Sequence, residues 1–115
     1  MITFKTVKVC FLLIFVFVNI FYVAPCYSLV LREDLFKNAL DLSSDGKFNL
    51  ALQEWNRYLD AYPDDAAGLS NRGNVRLVIG DVEGSIDDQN KAISLNPSEI
   101  DPYINRGIAE EALGL

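Results

Sequence analysis

The sequence contains no histidine, one methionine, one tryptophan and two cysteines. Without histidine the chain lacks the commonest metal ligand and the commonest general base. Two cysteines are too few for a disulfide-dense scaffold, and both (Cys10 and Cys26) fall near the N-terminus. Seven Gly and four Pro in 115 residues exclude a collagen or a low-complexity linker. Half of the residues are apolar and 23% are charged, which excludes an intrinsically disordered chain. Cations are scarce too. Ten Lys and Arg stand against sixteen acids, and the net charge of −6 argues against nucleic acid as a partner.

What is present is divided unevenly. Residues 1–31 carry Lys5, Lys8 and no acid, together with five of the seven Phe. Residues 32–115 hold all sixteen acids and eight Lys or Arg. The chain is therefore an apolar leader joined to an acidic segment. A basic start, the apolar run 9–24, and then Ala24, Pro25 and Ser28 make the layout of a secretory signal. A helix over 9–24 spans about 24 Å, short of a bilayer core, but 9–31 has no charge and reaches roughly 34 Å. Two readings of 1–31 follow, a cleaved signal peptide or an uncleaved signal anchor with its N-terminus inside. Both place residues 32–115 outside the cytosol. A lipoprotein reading is discounted because Pro25 precedes Cys26. A transit peptide would be rich in Arg and Ser, and the leader has no Arg and one Ser.

The acidic segment repeats itself every 34 residues. Pro63 matches Pro97, Gly46 matches Gly80, Phe48 matches Val82, Ala51 matches Ser85, and Leu59 matches Ile93. The same offset relates Asn71-Arg72-Gly73 to Asn105-Arg106-Gly107. One frame holds them all: 32–65, 66–99 and a third unit, 100–115. Such a period signals stacked supersecondary units. Each unit reads as two helices, 32–44 with 47–61 and 66–79 with 82–95, followed by a fifth helix over 100–113. Gly46, Gly80 and Gly114 end first helices, Asp81 caps a second one, and Pro63 and Pro97 follow the stops. Small residues (Ala39, Ala51, Gly73, Ser85, Gly107) fall where paired helices must approach, and Trp55 and Tyr58 read as packing residues. The expected fold is all-α, a helical-repeat solenoid of about two and a half units preceded by a hydrophobic helix.

Leu69, Gly73, Gly80-Asp81-Val82, Ser85, Ala92 and Pro97 give the pattern of the tetratricopeptide-repeat (TPR) family, which residues 32–115 resemble. The run Lys91-Ala92-Ile93-Ser94-Leu95-Asn96-Pro97 matches the usual end of its second helix. Arg72, Arg76 and Gln89 depart from the pattern, which has Leu at the first position and aromatics at the other two. Asn-Arg-Gly is frequent in TPR proteins of cyanobacterial and plastid type, and residues 68–113 resemble plant chloroplast (thylakoid-lumen) members. A chloroplast location is therefore the alternative to the secretory route.

The resemblance implies a protein-interaction module that takes a peptide or protein surface in a concave groove lined by first helices. Carried over position by position, the groove would use Glu33, Phe36, Leu40 and Ser43; Ala67, Ser70, Asn71, Asn74 and Leu77; and Asp101, Ile104, Asn105 and Ile108. Asn71 and Asn105 would either hold a peptide backbone or tie one repeat to the next. The family's clamp for acidic chaperone tails is not expected. Asn71 matches one member of it, but Phe36, Leu40, Asp101 and Asn105 replace its Lys, Asn and Arg. A basic or neutral partner fits the charge better.

No catalytic arrangement is expected. Neighbouring acids on a helix point about 100° apart, so Asp87-Asp88 and Glu110-Glu111 read as solvated faces, and Asp64-Asp65 lies in a turn. No phosphate-cradling loop or metal-ligand spacing is present, so no cofactor is expected. Arg72, Arg76 and Arg106 read as partners for acids such as Asp101 and Glu110. The third unit stops after its first helix, which is expected of a fragment of a longer chain. The alternative function is an assembly subunit that docks a neighbour, including a second copy of itself, on that helix.

Overall fold

The computed structural model describes residues 28–114. The leader expectations rest on residues 1–31, of which 1–27 lie outside the described residues. Among the described residues, no helix is long and apolar enough to cross a membrane. The chain divides into two compact units, Met1–Glu33 and Asp34–Leu115. Residues 28–33 of the first are helical.

The second unit is built of helices throughout its described part. They are α1 (34–44 in this unit), α2 (Phe48–Ala61), α3 (Ala66–Val78), α4 (Val82–Leu95) and α5 (Asp101–Ala112). The bounds of α2 to α5 fall within a residue of those expected from the repeat. No strand occurs among the described residues.

Local chemistry sets the corners. After α1 and α3 the chain turns through Gly46 (φ +74°) and Gly80 (φ +91°), a left-handed conformation that glycine adopts without a Cβ penalty. The Asp81 amide donates to the Arg76 carbonyl at 2.8 Å and the Gly80 amide to the Leu77 carbonyl at 3.1 Å. The same pair of bonds recurs 34 residues earlier, from Lys47 to Leu42 and from Gly46 to Ser43. Both are the paired bonds that satisfy the last carbonyls of a helix. The N-termini of α3 and α4 are capped by carboxylates. Asp65 accepts from the Gly68 amide at 2.7 Å, and Asp81 from the Gly84 amide at 3.1 Å.

Consecutive helices from α2 to α5 pack on one another. The backbone of α3 also approaches α5 within 8 Å, whereas those of α2 and α4 do not approach each other. The array is thus closed on the side of the first helices and open on the side of the second, which places α3 and α5 on its inner surface. The core between α1, α2 and α3 holds Ala39, Ala51, Trp55, Tyr58, Leu59 and Leu69, with Val75 and Ala92 continuing it. Phe36 stands edge-on to Trp55 (centroids 5.0 Å apart) and Tyr58 (5.3 Å), and Trp55 edge-on to Tyr58. Each such pair adds about 1 kcal/mol to the burial itself. The Trp55 indole donates to Ser43 Oγ at 3.0 Å, and Tyr58 Oη to the Asp65 cap at 2.9 Å. Both polar handles of the buried aromatics are therefore satisfied.

Of the small residues expected at close helix approaches, Ala39, Ala51, Gly73 and Ser85 lie there and Gly107 does not. Ala39, Ala51 and Ser85 are fully buried. A Cβ on Gly73 would stand 2.6 Å from Gln89 Nε2 and 3.2 Å from the Ser85 carbonyl oxygen, so a larger residue there would displace the Gln89 side chain and crowd the α4 backbone. Gly107, one repeat later, has open space around it.

Candidate functional site

The polar interior between α3 and α4 corrects one expectation. Asp88, expected on a solvated face, is 4% exposed. The guanidinium of Arg72 holds it with two bonds, Nε to Oδ2 at 2.9 Å and Nη2 to Oδ1 at 2.7 Å. Arg76 adds a third contact at 3.1 Å. The reason is positional. Arg72 and Arg76 lie one turn apart on the face of α3 that meets α4, so a carboxylate opposite them is drawn in rather than solvated. Asp87, beside it in sequence, is exposed. Arg72 and Arg76 do pair within the chain, though with Asp88 rather than with Asp101 or Glu110. Arg106 pairs with Glu110 at 3.5 Å and also donates to Asn90 Oδ1 at 2.9 Å.

Gln89 fills the place the pattern gives to an aromatic ring. Its side chain is fully buried against Gly73. Nε2 donates to the Ser70 carbonyl at 3.0 Å and to Asn74 Oδ1 at 3.3 Å. Its Oε1 has no hydrogen-bond partner among the described residues.

On the inner surface, α3 and α5 enclose a cleft of about 320 Å³. It is lined by Ala66, Ala67, Ser70, Asn71 and Asn74 from α3, by Asp101, Pro102 and Asn105 from α5, and by Asn96 and Glu99 from the turn between α4 and α5. Six of the groove residues carried over from the sequence thus come together: Ala67, Ser70, Asn71, Asn74, Asp101 and Asn105. The others lie elsewhere: Ser43 accepts from the Trp55 indole, and Glu33 and Ile104 are exposed. Phe36 packs on Trp55 and Tyr58, Leu40 is 39% exposed, Leu77 is half-buried on α3, and Ile108 is 52% exposed on α5. Asn96, Glu99, Pro102 and Ala66 were missed because they flank the repeat boundary. The signal for them was the Asn96-Pro97 stop itself, which brings the end of α4 beside the start of α5.

Asn105 Nδ2 lies 3.4 Å from Ser70 Oγ and so links the two repeats across the cleft. Asn71 bonds back to the Ala67 carbonyl of its own helix at 2.9 Å. The cleft therefore offers amide groups from three asparagines on its two walls, two carboxylates at its α5 end, and no cation.

No family model matches the chain. It is 30% identical over 64 residues to tetratricopeptide repeat protein 36 of Danio rerio, a stretch covering 56% of this chain and 34% of that protein. It is 28% identical over 76 residues to a Protein SGT1 homolog of Bos taurus, covering 66% of this chain and 22% of the relative. The chain thus spans less than two thirds of the length of the curated relatives it matches. Among solved structures, the first TPR of Spaghetti (RPAP3), bound to the HSP90 peptide SRMEEVD, superposes with a TM-score of 0.69 at 26% identity. That match covers 71% of this chain and 65% of the other. The TPR2B domain of yeast Sti1, in a pHsp70 complex, gives a TM-score of 0.69 at 24% identity over 71% of this chain and 66% of that one.

The fold is of tetratricopeptide-repeat type. Within it, α1–α2 and α3–α4 are successive helical hairpins, and α5 follows them.

Proposed function

We propose that the chain is a protein-interaction module whose inner surface takes an extended peptide or a protein surface. The observation that carries this reading is the cleft between α3 and α5, where Asn71, Asn74 and Asn105 present side-chain amides. A carboxamide both donates and accepts, so a row of them can pair with the backbone of an extended chain without demanding a particular side chain. Neighbours of the same fold, RPAP3 and Sti1, are seen with HSP90 and Hsp70 peptides. Binding needs no catalytic group, and none is assigned.

The bound peptide is not expected to be an acidic tail such as SRMEEVD. Asp101 and Glu99 stand at the cleft, and like charges oppose that ligand. A peptide selected from a random display library on the full chain should lose affinity about tenfold on Asn71→Ala. The circular dichroism and melting temperature should stay unchanged. Equal affinity for the variant would sink the reading, whereas tight, saturable binding of SRMEEVD would overturn only the exclusion of acidic tails.

The exposed apolar residues of α5 favour a second reading, assembly with another chain. Ile104 is 55% and Ile108 52% exposed. If α5 docks a neighbour, sedimentation of the full chain should show an oligomer that Ile108→Lys converts to a monomer. The basic, apolar leader supports placement at or beyond a membrane, with a plastid location as the alternative. Protease protection of the full chain in membrane fractions tests both.

A further inference from the structure

We propose that the cleft between α3 and α5 seats a lysine or arginine side chain of the bound peptide. This rests on the peptide-binding reading above and adds the charge of the guest. The lining holds two carboxylates, Glu99 and Asp101, and no Lys or Arg. Neither carboxylate has an ion-pair partner among the described residues, and every cation from Lys37 to Arg106 already stands in an ion pair with some other acid. Among residues 37–106, then, every cation is paired outside the cleft.

The groups around the two acids suit an N–H-rich guest. Ser70 is nine-tenths buried, and its hydroxyl already meets Asn105. The carbonyl ends of Asn71 and Asn105 have no bonded partner among the described residues, so they can accept from an ammonium or guanidinium. Behind the wall, the Oε1 of fully buried Gln89 is also without a partner, while its Nε2 holds the Asn74 carbonyl end in place. A cleft so furnished is rich in acceptors. A cationic side chain meets them, whereas a carboxylate adds a third negative charge to two.

Asp101 has a structural claim as well, since it lies in the first turn of α5, where the helix dipole favours a carboxylate. Glu99 precedes that helix, so the two acids together separate charge recognition from helix stability.

The test offers the full 115-residue chain, held on beads in mild detergent, three random nonapeptide pools. They differ at the central position alone: Lys or Arg, Glu or Asp, and Ala. The basic pool should be retained about three- to tenfold over the others, and the advantage should shrink between about 50 and about 500 mM salt. It should be lost in Asp101→Asn and in Glu99→Gln but kept in Asp87→Asn, which removes the same charge from the exposed face of α4. Should Asp101→Asn lower the melting temperature, Glu99→Gln decides. Equal retention of all three pools would leave the peptide reading standing and overturn this inference. So would a preference that survives both cleft variants or disappears equally with Asp87→Asn. Retention of no pool would overturn the peptide reading itself and this inference with it.

Discussion

Asp88 sits between two guanidinium groups in an interior that water barely reaches, which makes its loss more costly than its gain was favourable. Replacing it by Ala leaves Arg72 only Asn56, and Arg76 the Gly84 carbonyl and Asp81, so their desolvation is only partly compensated. Asp88→Ala should therefore destabilise the fold by about 2–3 kcal/mol in urea denaturation. Exchanging all three partners for Leu and Met should recover most of that loss, because apolar residues of similar volume leave no charge unpaired. A loss below about 0.5 kcal/mol for the single variant would mean that the pair is effectively solvated. These residues also mark where the sequence misled. Arg72, Arg76 and Gln89 read one at a time as departures from a family pattern, and Asp88 as half of a solvated acid pair. Their meaning is relational: two cations one turn apart on α3 recruit Asp88, and Gln89 occupies the space that Gly73 vacates. A one-dimensional pattern records each residue against a consensus rather than against its neighbour across the helix pair. Phe36 shows the same limit, for its repeat position is a groove position, yet its ring meets Trp55 and Tyr58 edge-on.

Helix ends were far more legible than side-chain pairings, because the chemistry that stops a helix is local. Gly46 and Gly80 adopt positive φ where the repeat puts them, Asp81 caps α4, and Asn96 and Pro97 follow its end. The Asp81 cap should contribute about 1 kcal/mol. Asp81→Ala should lower stability by that amount, and Asp81→Asn, which keeps the acceptor, by a few tenths. Equal losses for the two variants in urea titration would assign the effect to the ion pair with Arg76, 3.5 Å away. The cleft was half legible for the same reason. Its α3 and α5 walls follow from first-helix positions, whereas Asn96 and Glu99 enter from a turn whose path the periodicity does not describe.

Across the whole molecule, a repeat array is held by contacts between neighbours, so stability follows how many neighbours each helix has. In α3, Gly68, Leu69, Ser70, Gly73 and Val75 are buried, with α2 on one side and α4 and α5 on the other. In α5 the buried residues are Pro102 and Ala109. Native-state hydrogen exchange of the full chain should accordingly find the amides of α3 and α4 slowest and those of α5 opening first. Uniform protection would show instead that the unit melts as a single block. The cleft has a mechanical meaning too. One wall is α3 and the other is α5, so they belong to successive repeats, and the Asn105–Ser70 link spans the gap at 3.4 Å. Spreading or tightening the array changes the distance between those walls, and whatever lodges there resets it. If a peptide lodges there, the force–extension curve of the full chain should change when the peptide is added.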